Sequence, residues 1–276
     1  MPGVVLPLAR GRTLRIERPL VMAILNATPD SFSDGGSLPT GPALESQVRK
    51  LLAAGADILD VGGESTRPGH ALVPAEEEAR RVLPVIAAIR RAAPQAIVSI
   101  DTRKAVVART ALEAGADFIN DVSGLADLAM AGVVREAGCA VVLMRDQPCA
   151  GDVVAACRTH LADVVAKAQA AGILPSAMIV DPGLGFGDPP GADVAANLAL
   201  LRGARHYAQG RPVLLGASRK RFVGALAGEA DPKRRVAGSV AAAVAAVQAG
   251  VSIVRVHDVA ETVAALRPLA ASWRPA

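Results

Sequence analysis

Eight times along this chain a short β-branched run gives way to a longer stretch of helical period, and that alternation constrains the fold more than any other feature. The strand-like runs fall at 20–25 (LVMAIL), 57–62 (DILDVG), 97–101 (IVSID), 117–122 (DFINDV), 139–144 (CAVVLM), 178–181 (MIVD), 213–217 (VLLGA) and 251–256 (VSIVRV). The spacing predicts helices over about 42–54, 75–92, 104–114, 127–137, 152–171, 192–207, 233–249 and 258–270. Four helices end on a near-repeated signal, Ala54-Gly55-Ala56, Ala114-Gly115-Ala116, Ala137-Gly138-Cys139 and Ala249-Gly250-Val251. Glycine there supplies the left-handed turn that sends the chain back into a sheet. Strict β-then-α order calls for a parallel sheet. Hydrophobic residues make up 51% of the chain and aromatics only 2%, so the core is aliphatic, as suits buried parallel strands under Ala-rich helices. An open doubly wound sheet is the alternative. Eight units in 276 residues, close to the roughly 250 of one closed barrel, favour a single (β/α)8 TIM barrel. The expectation is one domain over 1–276, its core about 18–270, with long loops after strands one and two.

Composition excludes several classes of function. The 30 Lys and Arg against 26 Asp and Glu give a net +4. These charges are scattered, and few aromatics are available for base stacking, so no nucleic-acid partner is expected. The first residues hold no apolar run long enough for a signal peptide or a membrane span. The apolar segment 236–254 is broken by Gly238, Ser239, Gln248, Gly250 and Ser252, which suits a buried helix running into a strand. Three cysteines, Cys139, Cys149 and Cys157, have no metal-binding spacing and cannot all pair. A reducing cytoplasm is the expected setting.

In a barrel of this kind the chemistry sits at the C-terminal ends of the strands. Those ends carry Asn26, Glu64 to Arg67, Asp101, Asn120, Asp121, Arg145, Asp181, Ser218 to Lys220, Arg255 and His257. Any single Asp, Asn or Ser there can be a helix N-cap. Capping alone does not explain polar residues at nearly every unit end. Arg255 and His257 share parity with Val251 and Ile253, so they point to one side of the sheet, at the strand where such barrels often hold phosphate. Asp101 with Ser99, Asn120 with Phe118 and Asp181 with Ile179 are arranged likewise. Two carboxylates and a carboxamide make a mixed acceptor and donor surface that fits an amino-substituted, amide-bearing ring better than a sugar. They are also possible metal ligands. The segments 26–36 (NATPDSFSDGG) and 62–69 (GGESTRPG) are either lids that wrap an anion or ordinary polar loops.

Seven motifs occur in order: AILNATPDSFSDGG, DILDVGGESTRPG, VSIDTRK, FINDVSG, DPGLGFG, GASRK and RVHD. The series resembles the signature of the dihydropteroate synthases and spans roughly residues 20–270. The resemblance implies a folate-pathway transferase that joins 6-hydroxymethyl-7,8-dihydropterin diphosphate to 4-aminobenzoate, releasing diphosphate. It implies that Asp101, Asn120, Asp181 and Lys220 hold the pterin. Asn26, Thr66, Arg67, Arg255 and His257 would hold the diphosphate, with Mg2+ on Asn26. Thr66, Pro68, Phe186, Ser218 and Lys220 would line the aminobenzoate pocket. The catalytic set implied is Asp101, Asp181, Lys220, Arg255 and His257, in a homodimer. The alternatives are a non-catalytic pterin-binding paralogue and a methyltetrahydrofolate-dependent methyltransferase. Two positions depart from the family pattern: Arg145 stands where a His follows Leu-Met, and Asp188 stands where a Lys follows Gly-Phe-Gly. Three further features read as non-functional. GLGFG (183–187) has the wrong spacing for a dinucleotide loop, PAEEEARR (74–81) reads as a solvated helix start, and Cys139 as inert packing.

Overall fold

The computed structural model describes residues 4–27, 41–65, 72–147, 151–186 and 194–275. Two strands precede the alternation: β1 (Val4–Pro7) and β2 (Thr13–Ile16) form an antiparallel hairpin that the sequence reading did not anticipate. The barrel strands are β3 (Leu20–Asn26), β4 (Ile58–Gly62), β5 (Ile97–Asp101), β6 (Phe118–Asp121), β7 (Val141–Met144), β8 (Met178–Asp181), β9 (Leu214–Leu215) and β10 (Ile253–Val256). They pair in parallel in the order β8-β7-β6-β5-β4-β3-β10-β9. A parallel bridge between Val180 and Val213, with Val180 N donating to Pro212 O at 3.0 Å, joins the two ends of that order. This closes the (β/α)8 barrel expected from the alternation.

The helices are α1 (Pro42–Ala53), α2 (Ala75–Ala92), α3 (Ala105–Glu113), α4 (Met130–Ala137), α5 (Val153–Ala170), α6 (Val194–Arg202), α7 (Ala204–Tyr207), α8 (Arg221–Ala227), α9 (Val236–Gln248) and α10 (Val259–Leu266). The helix expected over 192–207 is split at Gly203, where the backbone leaves helical angles. The short α8 follows Lys220 and had no strong period to announce it. Gly55, Gly115, Gly138 and Gly250 all adopt positive φ, as their place before a strand requires. No helix among the described residues is long and apolar enough to cross a membrane.

The hairpin packs on the N-terminal end of the barrel. Ala140 N donates to Pro7 O and Ala9 N to Asp117 O, each at 2.8 Å. Beneath it the fully buried Asp117 accepts from Arg10 Nη2 (2.8 Å), Arg12 Nη1 (2.7 Å), Arg90 Nη2 (2.8 Å) and Val98 N (2.9 Å). One carboxylate thus ties the hairpin to α2 and β5. Polar groups at this end fasten the fold, leaving the opposite end for chemistry.

Candidate active site

Strand register decides which polar groups meet. Asn26 pairs with Gly62, Gly62 with Asp101 and Asp101 with Asn120, so β3 to β6 present one row at the C-terminal mouth. One layer below, Asp60 pairs with Ser99. Residues in register on parallel strands share a face, and this face is the barrel interior. Asp60 is fully buried there, accepting from Ser99 Oγ (2.5 Å), Asn120 Nδ2 (3.2 Å) and Arg255 Nε (2.6 Å). Arg255 Nη2 reaches Asp101 Oδ2, also at 2.6 Å. The guanidinium of β10 therefore spans carboxylates from β4 and β5, and the four strands share one polar layer.

Sequence reading missed Asp60. The signal was available: Asp60 has the parity of Gly62, so it enters the barrel two residues before the strand end. Asp121 is the opposite case. Its neighbour Asn120 points inward, so Asp121 points away, and its carboxylate accepts from Ser123 N, Ser123 Oγ and Leu125 N to shape the turn after β6.

The electrostatics of the layer follow from burial. Asp101 is only 7% exposed, and its pKa is pushed up to about 7 by burial, opposed by Arg255 and reinforced by the neighbouring Asp60 charge. Its Oδ1 is buried with no hydrogen-bond partner among the described residues. That orphan acceptor is an opening for an outside donor. Asp181, at the end of β8, is likewise raised by burial, opposed by the Gly183 N–H and by the charges of Lys220, Arg255 and Arg145. Arg255 is held firmly cationic: burial would lower its pKa, but the Asp60 and Asp101 charges outweigh it.

A second group of residues assembles beside this layer. The segment after β8 turns back through Gly183 to Phe186, and Lys220 Nζ from the start of α8 donates to Leu184 O. The same ammonium lies 4.6 Å from the centre of the Phe186 ring. Ser218 and His257 are joined, Oγ to Nδ1 at 2.9 Å, and Arg219 pairs with Asp258 at 2.5 Å. The SRK and RVHD segments are thus stitched together twice. Arg235 holds the first of them from below, donating to Arg219 O (2.9 Å) and Lys220 O (3.3 Å).

Asn26 ends β3 beside a gap left by Gly62. A Cβ built there would lie 3.7 Å from Asn26 Oδ1 and 3.4 Å from Asp101 Cβ. Among the described residues no three His, Cys, Asp or Glu groups cluster as a metal cage. A lone carboxamide oxygen suits a magnesium ion that takes most of its ligands from water and a substrate phosphate. Thr66, Arg67 and Pro68 lie outside the described residues, as do Asp188, Cys149, and most of the two loops at 26–36 and 62–69. The foot of the second loop is described. Glu64 accepts from Val73 N (3.0 Å) and pairs with Lys104 (2.5 Å), and Lys104 also pairs with Glu78. Glu78 is buried, which corrects the reading of 74–81 as a solvated helix start; Glu77 and Arg81, four residues apart, pair at 2.7 Å. Cys139 is buried and its thiol is pushed up to about 12 by burial, consistent with inert packing.

Comparison with known proteins agrees with this fold. The family model described as pterin binding enzyme matches residues 22–257. The chain is 40% identical over 274 residues to the dihydropteroate synthase of Escherichia coli K12, covering 96% of this chain and 95% of that protein. It is 45% identical over 265 residues to a probable bifunctional folylpolyglutamate synthase/dihydropteroate synthase of Haloferax volcanii, covering 92% of this chain but 31% of that longer protein. The dihydropteroate synthase of Xanthomonas albilineans solved with 4-aminobenzoic acid superposes with a TM-score of 0.88, at 45% identity and 97% coverage of both chains. Its complex with 7,8-dihydropteroate gives 0.85 at 43% identity, covering 95% of this chain and 97% of that one. The chain belongs to the pterin binding enzyme family and, within it, to the dihydropteroate synthases.

Proposed function

We propose that this chain forms 7,8-dihydropteroate, transferring the dihydropterin-6-ylmethyl group from its diphosphate to the amino nitrogen of 4-aminobenzoate. The observation that carries this reading is the orphaned Asp101 Oδ1 in a buried layer with Asn120, Asp60 and Arg255. An aminopyrimidinone ring brings N–H donors in one plane, and burying them against an unpartnered carboxylate oxygen satisfies both sides. Asp101, Asn120, Asp181 and Lys220 hold the ring in this reading. Asn26, Arg255 and His257, with Thr66 and Arg67, hold the diphosphate; Phe186, Ser218, Lys220, Thr66 and Pro68 surround the aminobenzoate.

The chemistry is dissociative substitution. The methylene carbon–oxygen bond breaks, diphosphate leaves with the bonding pair, and the resulting cation is delocalised into the ring. The Asp181 carboxylate stabilises that cation, and Arg255 and His257 balance the departing charge. The aniline nitrogen attacks the methylene and then gives up its proton; it is already unprotonated near neutral pH, so no strong base is needed. Asn26 would hold Mg2+ with the diphosphate, and the ion would neutralise leaving-group charge. Orientation of the two substrates is then the main contribution of the protein, on the order of several kcal/mol. A homodimer in the cytoplasm is part of the same reading.

The deciding experiment is an assay of dihydropteroate formation by purified protein with Mg2+, beside Lys220→Ala. Wild type is expected to turn over, and the variant to lose at least tenfold in kcat/KM. An inactive wild type, or a variant equal to it, overturns the assignment. The dissociative step has its own check: diphosphate released from the pterin substrate without aminobenzoate supports it, and no release together with clean inversion at a labelled methylene contradicts it.

A further inference from the structure

Arg145 replaces the histidine of the family pattern, and the sequence offered no role for it. It is 1% exposed, among the largest fully buried side chains in the molecule. Burying a guanidinium is costly unless its donors are met, and a carboxylate is the usual partner. Among the described residues no carboxylate lies within ion-pair distance of Arg145. Two of its three nitrogens turn instead to one short backbone segment, Nε to Pro182 O (2.7 Å), and Nη2 to Gly183 O (3.0 Å) and, more weakly, Phe186 O (3.4 Å), while Nη1 is buried with no hydrogen-bond partner among the described residues. The main chain of the same residue joins in, with Arg145 N donating to Asp181 O at 3.0 Å. Gly183 packs so closely that a Cβ built on it would lie 1.9 Å from Arg145 O.

The segment so gripped carries groups from both halves of the site. Asp181, at its start, accepts from Gly183 N at 2.7 Å, so its carboxylate is aimed by a residue Arg145 holds. Leu184 O and the Phe186 ring, at its end, receive Lys220. We infer that Arg145 is a positioning residue: its planar fork fixes the 181–186 turn and thereby sets the ring-binding carboxylate and the Phe186–Lys220 pair at one mutual spacing. A planar guanidinium can bind carbonyls at several points of a turn at once; an ammonium is a point donor, and a thioether carbon chain only fills space. The inference rests on the proposed dihydropteroate chemistry for what the two halves bind.

The test uses Arg145→Met and Arg145→Lys in the full chain. Calorimetric binding of 7,8-dihydropteroate, kcat/KM for both substrates and the thermal midpoint are measured for each. A misplacement of about 1 Å can cost on the order of a hundredfold in rate. Both variants are expected to lose ten- to a hundredfold in dihydropteroate affinity and in kcat/KM. Arg145→Lys, which keeps the volume and charge, is expected to regain most of the thermal midpoint without regaining affinity. That separation of binding from stability is what a merely structural arginine does not produce. If either folded variant binds and turns over within about twofold of wild type, or if Arg145→Lys restores affinity in step with its midpoint, the positioning role is overturned. A wild type that neither forms nor binds dihydropteroate overturns the reading of the site itself, a result distinct from equal behaviour of wild type and variants.

Discussion

Asp101 shows how a single buried carboxylate ties function to stability. In an unfolded chain an aspartate titrates near pH 4 (~3.9), while burial beside Asp60 lifts folded Asp101 to about 7 despite Arg255. Between those values the native state holds a proton that the unfolded state has released. The stability associated with this group is therefore fully present below about pH 4 and is lost as pH rises through about 7. Asp101→Asn removes the titration. In urea unfolding the variant should gain on wild type by a few kcal/mol between pH 5 and pH 8; a gap that does not change with pH contradicts the assignment. Activity runs the other way, because an ionised Asp101 is the better acceptor for ring N–H groups. The wild-type kcat/KM for the pterin substrate should decline on the acid side of about pH 7. The residue the site needs is thus one that the fold tolerates at a cost.

The turn from Asp181 to Phe186 shows the same tension in an element. It contains two glycines at positive φ, Gly183 (66°) and Gly185 (70°), and only Gly183 meets backbone across a gap that a methyl group cannot enter. Gly183→Ala combines left-handed strain, on the order of 1–3 kcal/mol, with a collision against Arg145 O. The turn has to lift off β7, carrying with it Phe186 and the Gly183 N–H that donates to the Asp181 carboxylate. The expected outcome is a kcat/KM at least tenfold lower, with far-ultraviolet circular dichroism unchanged at 25 °C. Retention of full activity shows that the turn need not sit where it does. Sequence reading recognised DPGLGFG as a motif but not the clamp on it, because Arg145 arrives from the preceding strand. The contact depends on how β7 and β8 lie side by side, which no local pattern encodes.

At the level of the whole molecule, the two ends of the barrel divide the labour. Asp117 at the N-terminal end fastens the hairpin through Arg10, Arg12 and Arg90, whose side chains are 44%, 29% and 20% exposed. Breaking a fully buried pair costs about 3–5 kcal/mol; these arginines can turn partly to water, so about 2–3 kcal/mol is expected for Asp117→Ala. Its kcat/KM should stay within twofold of wild type, since the polar layer lies at the other end. A loss of turnover without a loss of stability would show that the ends are coupled. The sequence by itself determined the alternation, its eight units, the glycine turns and the identity of the strand-end residues. Those follow from local backbone preference and periodicity, which are written in neighbouring residues. It did not determine which carboxylates share Arg255, that Asp121 serves a turn while Asp60 joins the site, or that Arg145 grips the turn after β8. Those depend on strand register and on side chains from strands far apart in the chain, and only closure of the barrel brings them within hydrogen-bonding distance.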